Sequence, residues 1–172
     1  MMIPVRETQR LILRGWRESD FESYANFKLD KDASRFVSSA ENPHAAWREM
    51  AYMAGHWQLR GFGMWSVVLK ATGQNIGHCG TYFPHGWPEP EIGWAIFPEY
   101  QRQGFAHEAA SEALRHANQV LGWTTAISLI ANENVPSIAL AKKLGAVAEK
   151  PFHYRETDCT IYRHHQSNFH TH

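Results

Sequence analysis

One junction near the middle of the chain limits the possible folds more than any other feature of the sequence. A short apolar run at positions 91–97 is strand-like and stops at Pro98, and a turn containing Gly104 follows it. From Phe105 to Leu121, alanine and leucine then recur at helical spacing. The junction predicts a strand–turn–helix unit. The start of such a helix carries unpaired N–H groups, which favour a phosphate or pyrophosphate.

The rest of the chain predicts further strands and helices around this unit. Ser19 and Glu22 are spaced as a capping box before one helix, and Asn42-Pro43 marks the start of another. Strand-like runs separated by turn residues predict an antiparallel meander in the first half and a closing hairpin at the end. The predicted strands lie at 11–14, 64–70, 75–83, 91–97, 124–130, 147–155 and 158–164, and the predicted helices end near 29, 60, 121 and 144.

Composition excludes several classes of protein. The 172 residues are 44% apolar, and 17 basic side chains balance 17 acidic ones, which argues against direct nucleic-acid binding by bulk charge. The sequence contains no run of about eighteen apolar residues, so it predicts no membrane span. Its first residues lack the apolar core of a signal peptide. Cys79 and Cys159 form no metal-type cluster and are expected to be reduced, so the sequence predicts a cytoplasmic protein. We expect one domain over 1–172, with a core at about 8–165 and a tail at 166–172.

Three segments together resemble the GNAT superfamily of N-acetyltransferases. Residues 101–106 resemble its Gln/Arg-x-x-Gly-x-Gly/Ala signature, the strand at 91–97 resembles its central strand, and 134–146 resemble its second conserved block. Residues 7–14 and 17–20 resemble the branch that contains ribosomal-protein N-terminal (alanine or serine) acetyltransferases. The segments occur in the family's order, which is more specific than any one of them.

The resemblance implies an α+β fold with three α/β/α layers. A mixed, mostly antiparallel sheet of about seven strands would splay at its centre between about four helices, and acetyl-CoA would lie in the gap, with no metal. Peptide N–H groups of the turn would hold its pyrophosphate, the edge of the central strand would bind its pantetheine arm, and the second block would complete the site. The implied cofactor-binding residues are Ile96, Phe97, Gln101, Arg102, Gln103, Gly104, Phe105, Ala106, Asn134 and Ser137.

Acetyl transfer to an amine needs a base or a chain of water molecules that removes a proton, because a protonated amine cannot attack a thioester. Glu91, at the start of the central strand, is the first candidate, and Glu89 is the second; either could instead be a solvated charge. A backbone N–H near Ile96 or Phe97 could stabilise the oxyanion. The family's usual tyrosine acid corresponds to Ala141, so Ser137 is the first candidate proton donor, directly or through water. Tyr100, Tyr154 and Tyr162 are the alternatives. Asn134 and Ser137 could alternatively serve only to cap the helix.

Other residues with possible chemistry receive mostly structural interpretations. His78 could orient a substrate or act as a base, whereas His107 and His116 are expected at the surface. His164, His165, His170 and His172 lack partner ligands with metal-site spacing, so no metal is predicted. Several tryptophans could line an acceptor pocket or simply pack in the core: Trp16, Trp47, Trp87 and Trp94.

The sequence therefore predicts transfer of an acetyl group from acetyl-CoA to a primary amine by direct attack in a ternary complex. A protein N-terminus is one acceptor that the branch resemblance favours, and a small-molecule amine or antibiotic is the alternative. A non-catalytic acyl-CoA sensor also remains open because Ala141 replaces the usual acid, as does a structural protein with the family's fold. Neither nucleic acid nor a membrane is an expected partner, and a homodimer is possible within this interpretation.

Overall fold

A computed structural model describes residues 2–165, which form an open sheet with helices on both faces. The strands are β1 (Arg6–Glu7), β2 (Leu11–Arg14), β3 (Met64–Leu69), β4 (Asn75–Tyr82), β5 (Glu91–Ile96), β6 (Thr125–Ala131), β7 (Val147–Tyr154) and β8 (Thr157–His165). The helices are α1 (Phe21–Leu29), α2 (Pro43–Arg60), α3 (Phe105–Gln119) and α4 (Val135–Lys143). The predicted α+β class is confirmed, as are its four α-helices.

The sheet order explains where the site forms. The strands follow the order β1-β2-β3-β4-β5-β6-β8-β7, and every neighbouring pair is antiparallel except β5 and β6. Those two strands are parallel and share one registered pair, Glu91 with Ile127. The predicted central splay is therefore present. The described strands number eight rather than about seven, because Arg6–Glu7 also pairs with β2.

Alternation along β5 separates two apolar cores. Ile92 and Ile96 are buried with residues of α3, whereas Ala95 and Phe97 are buried with Tyr24 of α1 and neighbouring side chains. Because successive side chains of a strand point to opposite faces, β5 contributes to both layers. The three-layer arrangement follows directly from this alternation.

The helix boundaries mostly follow local sequence signals. The side chain of Asn42 accepts a hydrogen bond from the Ala45 N–H, and Gly61 ends α2 with a left-handed φ of 79°. The predicted capping box at Ser19 and Glu22 is wrong. A 3-10 turn at Glu18–Asp20 precedes α1, because the Asp20 carboxylate accepts hydrogen bonds from the Arg14 guanidinium and the Arg17 N–H.

His116 is buried, not exposed as the sequence analysis predicted. It lies on the core side of α3, and its ring meets the Trp65 ring edge-on at 4.9 Å between centroids. Burial lowers the pKa of His116 to about 4, so the ring is neutral near pH 7. A neutral imidazole can pack as an aromatic group, which periodicity alone did not reveal.

Cys79 and Cys159 are buried free thiols. Within residues 2–165, no helix combines the length and the apolar character needed to cross a membrane. The same part of the chain contains no group of three or more potential metal-ligating side chains. The predicted tail at 166–172, with His170 and His172, lies outside the described residues.

Candidate active site

A cleft of about 700 Å³ opens where β5 and β6 diverge. Its walls come from the end of β5, the first turns of α3 and α4, and the loop after α1. The sequence-predicted residues that line it are Ile96, Gln101, Arg102, Gly104, Phe105, Ala106, Asn134 and Ser137. The fold thus gathers two sequence-distant motifs around one opening.

The turn before α3 presents unpaired backbone donors. Arg102 and Gly104 have left-handed φ values of 59° and 83°. In the described part of the chain, the N–H groups of residues 103–106 have no hydrogen-bond acceptor. The Gln101 side chain donates instead to the Ile96 carbonyl at 2.8 Å and so ties the turn to β5. Free N–H groups at a helix start form an anion-binding site.

Arg10 braces this turn from the neighbouring N-terminal segment. Its Nη1 donates to the Gln103 carbonyl at 2.9 Å, and its Nε donates to the Glu108 carboxylate at 2.7 Å. Its guanidinium also lies 4.4 Å from the centre of the Phe105 ring. No local signal in the sequence indicates this role of Arg10, because its partners lie almost a hundred positions away in the chain.

Side chains bridge the splay where the backbone ladder is missing. The Leu129 N–H of β6 donates to Glu91 Oε1 at 3.1 Å, and Ser128 Oγ donates to the Ile92 carbonyl at 2.7 Å. The Phe97 N–H is already bonded to the Ile76 carbonyl at 2.9 Å. Because peptide groups alternate along a strand, the N–H of Ile96 faces the gap instead. Ile96 is therefore the better placed of the two predicted oxyanion donors.

Glu91 is buried at the narrow end of the splay, with 8% of its surface exposed. Burial raises the pKa of its carboxyl to about 7, against the opposing effect of hydrogen bonds from the Leu129 N–H and the Trp87 indole. The indole Nε1 lies 2.6 Å from Glu91 Oε2. A carboxylate with this pKa can accept a proton near neutral pH. The sequence did not indicate that Trp87 would contact it.

The other candidate bases are in unsuitable environments. Glu89 forms a two-pronged ion pair with Arg163, at 2.5 and 2.9 Å, and this partner lowers the pKa of its carboxyl. His78 is buried against Trp16 and Tyr24, and burial lowers its pKa to about 3. An ion-paired acid and a desolvated imidazole are both weak proton acceptors.

Asn134 and Ser137 each have a structural contact and a free polar group. Asn134 Oδ1 accepts the Ser137 N–H at 3.2 Å, which leaves its amide donor for the cleft. Ser137 Oγ accepts the indole N–H of Trp94 at 3.2 Å, so its own proton is not used in that bond. Ala141 is fully buried, and Trp94 packs against its cluster. The indole thus occupies space beside the missing tyrosine.

A buried lysine fixes the outer wall of the cleft. Lys28 Nζ donates to the carbonyls of Val37 and Ser38 and pairs with Glu49 at 2.6 Å. Burial lowers the pKa of Lys28, whereas the Glu49 carboxylate opposes that shift. The cleft-lining loop between α1 and α2 is therefore held to α1 rather than free in solution.

Comparisons with known proteins agree with this geometry. The sequence pattern described as an acetyltransferase (GNAT) domain matches residues 10–147. The chain is 29% identical to the uncharacterised N-acetyltransferase YoaA of Bacillus subtilis (strain 168), over 84% of this chain and 83% of that one.

Two solved structures share the whole architecture. An acetyltransferase from Agrobacterium tumefaciens str. C58 is 30% identical, with a TM-score of 0.85 and 96% of each chain covered. A ribosomal-protein-S5-alanine acetyltransferase from Vibrio fischeri is 15% identical, with a TM-score of 0.76 and 98% and 100% of the two chains covered. At 15% identity the second likeness concerns the fold alone.

Proposed function

Because this chain belongs to the GNAT family of N-acetyltransferases, we propose that it transfers the acetyl group of acetyl-CoA to a primary amine through the site around Glu91. The observation that carries this proposal is a cleft beside β5 with free backbone donors at the start of α3. The buried Glu91 carboxyl, with a pKa of about 7, lies further along β5, where this strand pairs with β6. A protein N-terminus is the first acceptor to test, and a small-molecule amine is the second.

The groups around the cleft suit the chemistry of acetyl-CoA. The N–H groups of Gln103, Gly104, Phe105 and Ala106 would hold the pyrophosphate, with Arg102 adding positive charge. The edge of β5 at Ile96 that faces the gap would bind the amide-containing arm as an added strand. The predicted contact of Phe97 would not involve its N–H, which is bonded to the Ile76 carbonyl. Gln101 would support the turn, and the free amide of Asn134 would bind the arm from the other side. The bound thioester supplies the activated acetyl group.

Glu91 is proposed as the general base. Its two carboxylate oxygens are held by the Leu129 N–H and the Trp87 indole, which fixes the carboxylate in one orientation. Each oxygen keeps a further lone pair. The carboxylate can therefore take a proton from an ammonium group, directly or through a water molecule, and leave the neutral amine free to attack.

Ser137 and the strand edge are proposed to stabilise the remaining charges. The N–H of Ile96 can donate to the developing oxyanion. The Ser137 hydroxyl, oriented by Trp94, can donate to the departing sulfur in place of the tyrosine that Ala141 replaces. A thiolate needs less help than an alkoxide, because a thiol has a pKa of about 8.5. A hydrogen bond is therefore adequate assistance.

Calorimetric titration with coenzyme A, followed by a thiol-release assay on a panel of amines, tests the proposed function. We expect coenzyme A to bind and at least one primary amine to be acetylated at a rate that depends on enzyme concentration. Tight coenzyme A binding without turnover on any amine would favour an acyl-CoA sensor instead. That alternative is retained because Ala141 stands where the family usually has a tyrosine acid. Absence of any coenzyme A binding would favour a structural protein.

Replacing Arg10 tests how the phosphate turn is positioned. We expect Arg10→Gln to weaken coenzyme A binding about 5- to 10-fold. A hydrogen bond to a charged group contributes about 1.5–3 kcal/mol. The two that Arg10 donates, to Gln103 and Glu108, act on coenzyme A only indirectly, by holding the turn, so only part of that energy should be lost. Arg6→Gln is the matched control, since Arg6 pairs with Glu112 on the same helix, away from the turn. Equal loss of coenzyme A affinity in both variants, measured by calorimetry, would contradict a specific role for Arg10.

A further inference from the structure

A row of four aromatic rings lies next to the proposed base. Tyr52 of α2, Tyr82 of β4, Trp87 of the following loop and Tyr154 of the β7–β8 hairpin form what we call the aromatic row. Successive ring centroids are 6.4, 5.2 and 4.9 Å apart, and each contact is edge to face. Three separate regions of the chain supply these rings. Tyr52 is 47% exposed and the other three are partly buried, so the row reaches the surface.

The row is fixed in position over Glu91. The Trp87 indole donates to the carboxylate at 2.6 Å, and Tyr82 lies directly opposite Glu91 in the β4–β5 ladder. His56 stacks on Tyr82 at 5.4 Å, and its two ring nitrogens bond to the backbone of Phe62 and Phe83. Directly opposite residues of neighbouring strands project to the same face. The row therefore covers the same face of the sheet as the carboxylate.

This face is opposite to that of the Trp94 side chain, because side chains alternate along β5. Trp94 contacts Ser137 at the cleft proposed for acetyl-CoA. The residues that line this cleft include neither Glu91 nor any of the four rings. An acceptor that approaches along the aromatic row would thus reach Glu91 from outside the cleft, on the face opposite to Trp94. The two substrates could then be bound at the same time, as direct transfer requires.

The charges around the row favour an acceptor with one positive group. Arg155 lies 5.2 Å from the centre of the Tyr154 ring, and Arg60 lies 5.3 Å from that of Phe83, next to Tyr82. Of the nearby acids, Glu89 is ion-paired with Arg163, and Asp158 shares a hydrogen bond with His153. Glu91 is thus an acid in contact with the row that has no ionic partner among the described residues, and an arginine lies at the Tyr154 end of the row. A second cationic group on the acceptor would meet like charge.

We propose that the aromatic row is the acceptor subsite and that it selects a singly charged primary amine with an aromatic or bulky apolar group a few atoms from the nitrogen. This inference rests on the proposed function, since it names the acceptor class for the same site. Ring contacts would hold the apolar group, and Glu91 would attract the ammonium. Either a free arylalkylamine or a peptide N-terminus with an early aromatic residue presents this chemistry.

An acceptor panel with the full chain and saturating acetyl-CoA tests the selection. The probes are ethylamine, 2-phenylethylamine, spermidine, and the dipeptide amides Ser-Phe and Ser-Lys. We expect kcat/KM for 2-phenylethylamine to exceed that for ethylamine by about 10-fold, the scale of burying one aromatic ring. Ser-Phe amide should exceed Ser-Lys amide similarly, and spermidine should be poor. The better of the two aromatic probes identifies the source, free amine or peptide.

Two variants connect this preference to the row. Tyr52→Ala should leave coenzyme A affinity unchanged. It should reduce about 5-fold the ratio of kcat/KM for 2-phenylethylamine to kcat/KM for ethylamine. Trp47→Ala is the matched control, because Trp47 is an exposed ring on the same helix that lies outside the row.

Arg155→Asn should raise kcat/KM for spermidine several-fold, because it removes a positive charge next to the row. Asparagine tolerates the left-handed φ of 52° at this position. Lys142→Asn is its control for the loss of one exposed positive charge.

The outcomes separate this inference from the function on which it rests. Turnover of ethylamine at least equal to that of the aromatic probes, or spermidine as the best acceptor, would overturn the aromatic selection and leave the acetyltransferase assignment of the site intact. A preference that survives Tyr52→Ala unchanged would also overturn it. Coenzyme A binding without turnover on any probe would overturn both the proposed function and the acceptor subsite.

Discussion

Gly104→Asp should nearly abolish coenzyme A binding, with an affinity loss of about 100-fold or more. Two like charges about 4 Å apart repel by about 4 kcal/mol at an intermediate effective dielectric constant, and the nearby Arg10 guanidinium offsets part of that repulsion. A Cβ at this position would lie 3.3 Å from Arg10 Nη2, and the φ of 83° disfavours most side chains. Titration calorimetry with coenzyme A measures the loss.

Gly104→Asn separates the effect of the added charge from the effects of the added side-chain volume and of the left-handed backbone conformation. Asparagine has nearly the shape of aspartate and tolerates left-handed φ values better than most residues. We expect this variant to bind coenzyme A only a few-fold more weakly than the natural chain. If both variants bind with the natural affinity, the pyrophosphate does not lie at this turn. Thermal unfolding of both proteins checks that neither loss reflects a failure to fold.

Glu91→Gln should lower kcat about 100-fold or more while the dissociation constant of coenzyme A stays unchanged, because general-base catalysis contributes about 100- to 10,000-fold. Glu89→Gln is the matched control, since the Glu89 carboxylate is paired with Arg163 and should not take part in the reaction. An active Glu91→Gln enzyme would assign the base to another group or to water. The assay is thiol release at saturating acetyl-CoA.

The pH profile of the natural enzyme should bend at the pKa of Glu91. We expect kcat/KM to rise with pH and to level off above about 7, because only the ionised carboxylate accepts a proton. The bend should disappear in Glu91→Gln. A profile that rises only near the pKa of the free amine, with no bend near 7, would contradict this assignment.

The same pKa shift has a consequence for stability. The folded-state pKa is raised from 4.5 to about 7, so the folded chain binds more protons than the unfolded chain between those pH values. Stability from this group is therefore greatest at low pH and falls as pH rises through 7, where the buried carboxylate is charged. Glu91→Gln should accordingly raise the melting temperature more at pH 8 than at pH 5. This difference would show that the ionised Glu91 carboxylate destabilises the folded chain, as expected of a buried charge that serves the reaction rather than the fold.

Local sequence signals predicted most of the helices and strands. They failed where a residue distant in the sequence determines a hydrogen bond or the burial of a side chain. Asn42-Pro43 and Gly61 delimited α2 correctly, because a cap needs only neighbouring residues. The Ser19 cap was wrong because Asp20 binds Arg14 instead. His116 was expected at the surface, yet it packs against Trp65, which lies about fifty positions away in the chain. Polarity alone does not reveal whether an imidazole is neutral and buried.

The amino-acid sequence by itself determined the order of the elements, the glycine turn before α3 and the family to which the chain belongs, since all three depend on spacing along the chain. The tertiary structure decided which polar groups act together: that Glu91 is desolvated and bonded to Trp87, that Glu89 is neutralised by Arg163, and that rings from three regions form one row. A pKa and a binding surface depend on what surrounds a group in space, and sequence separation does not encode those distances.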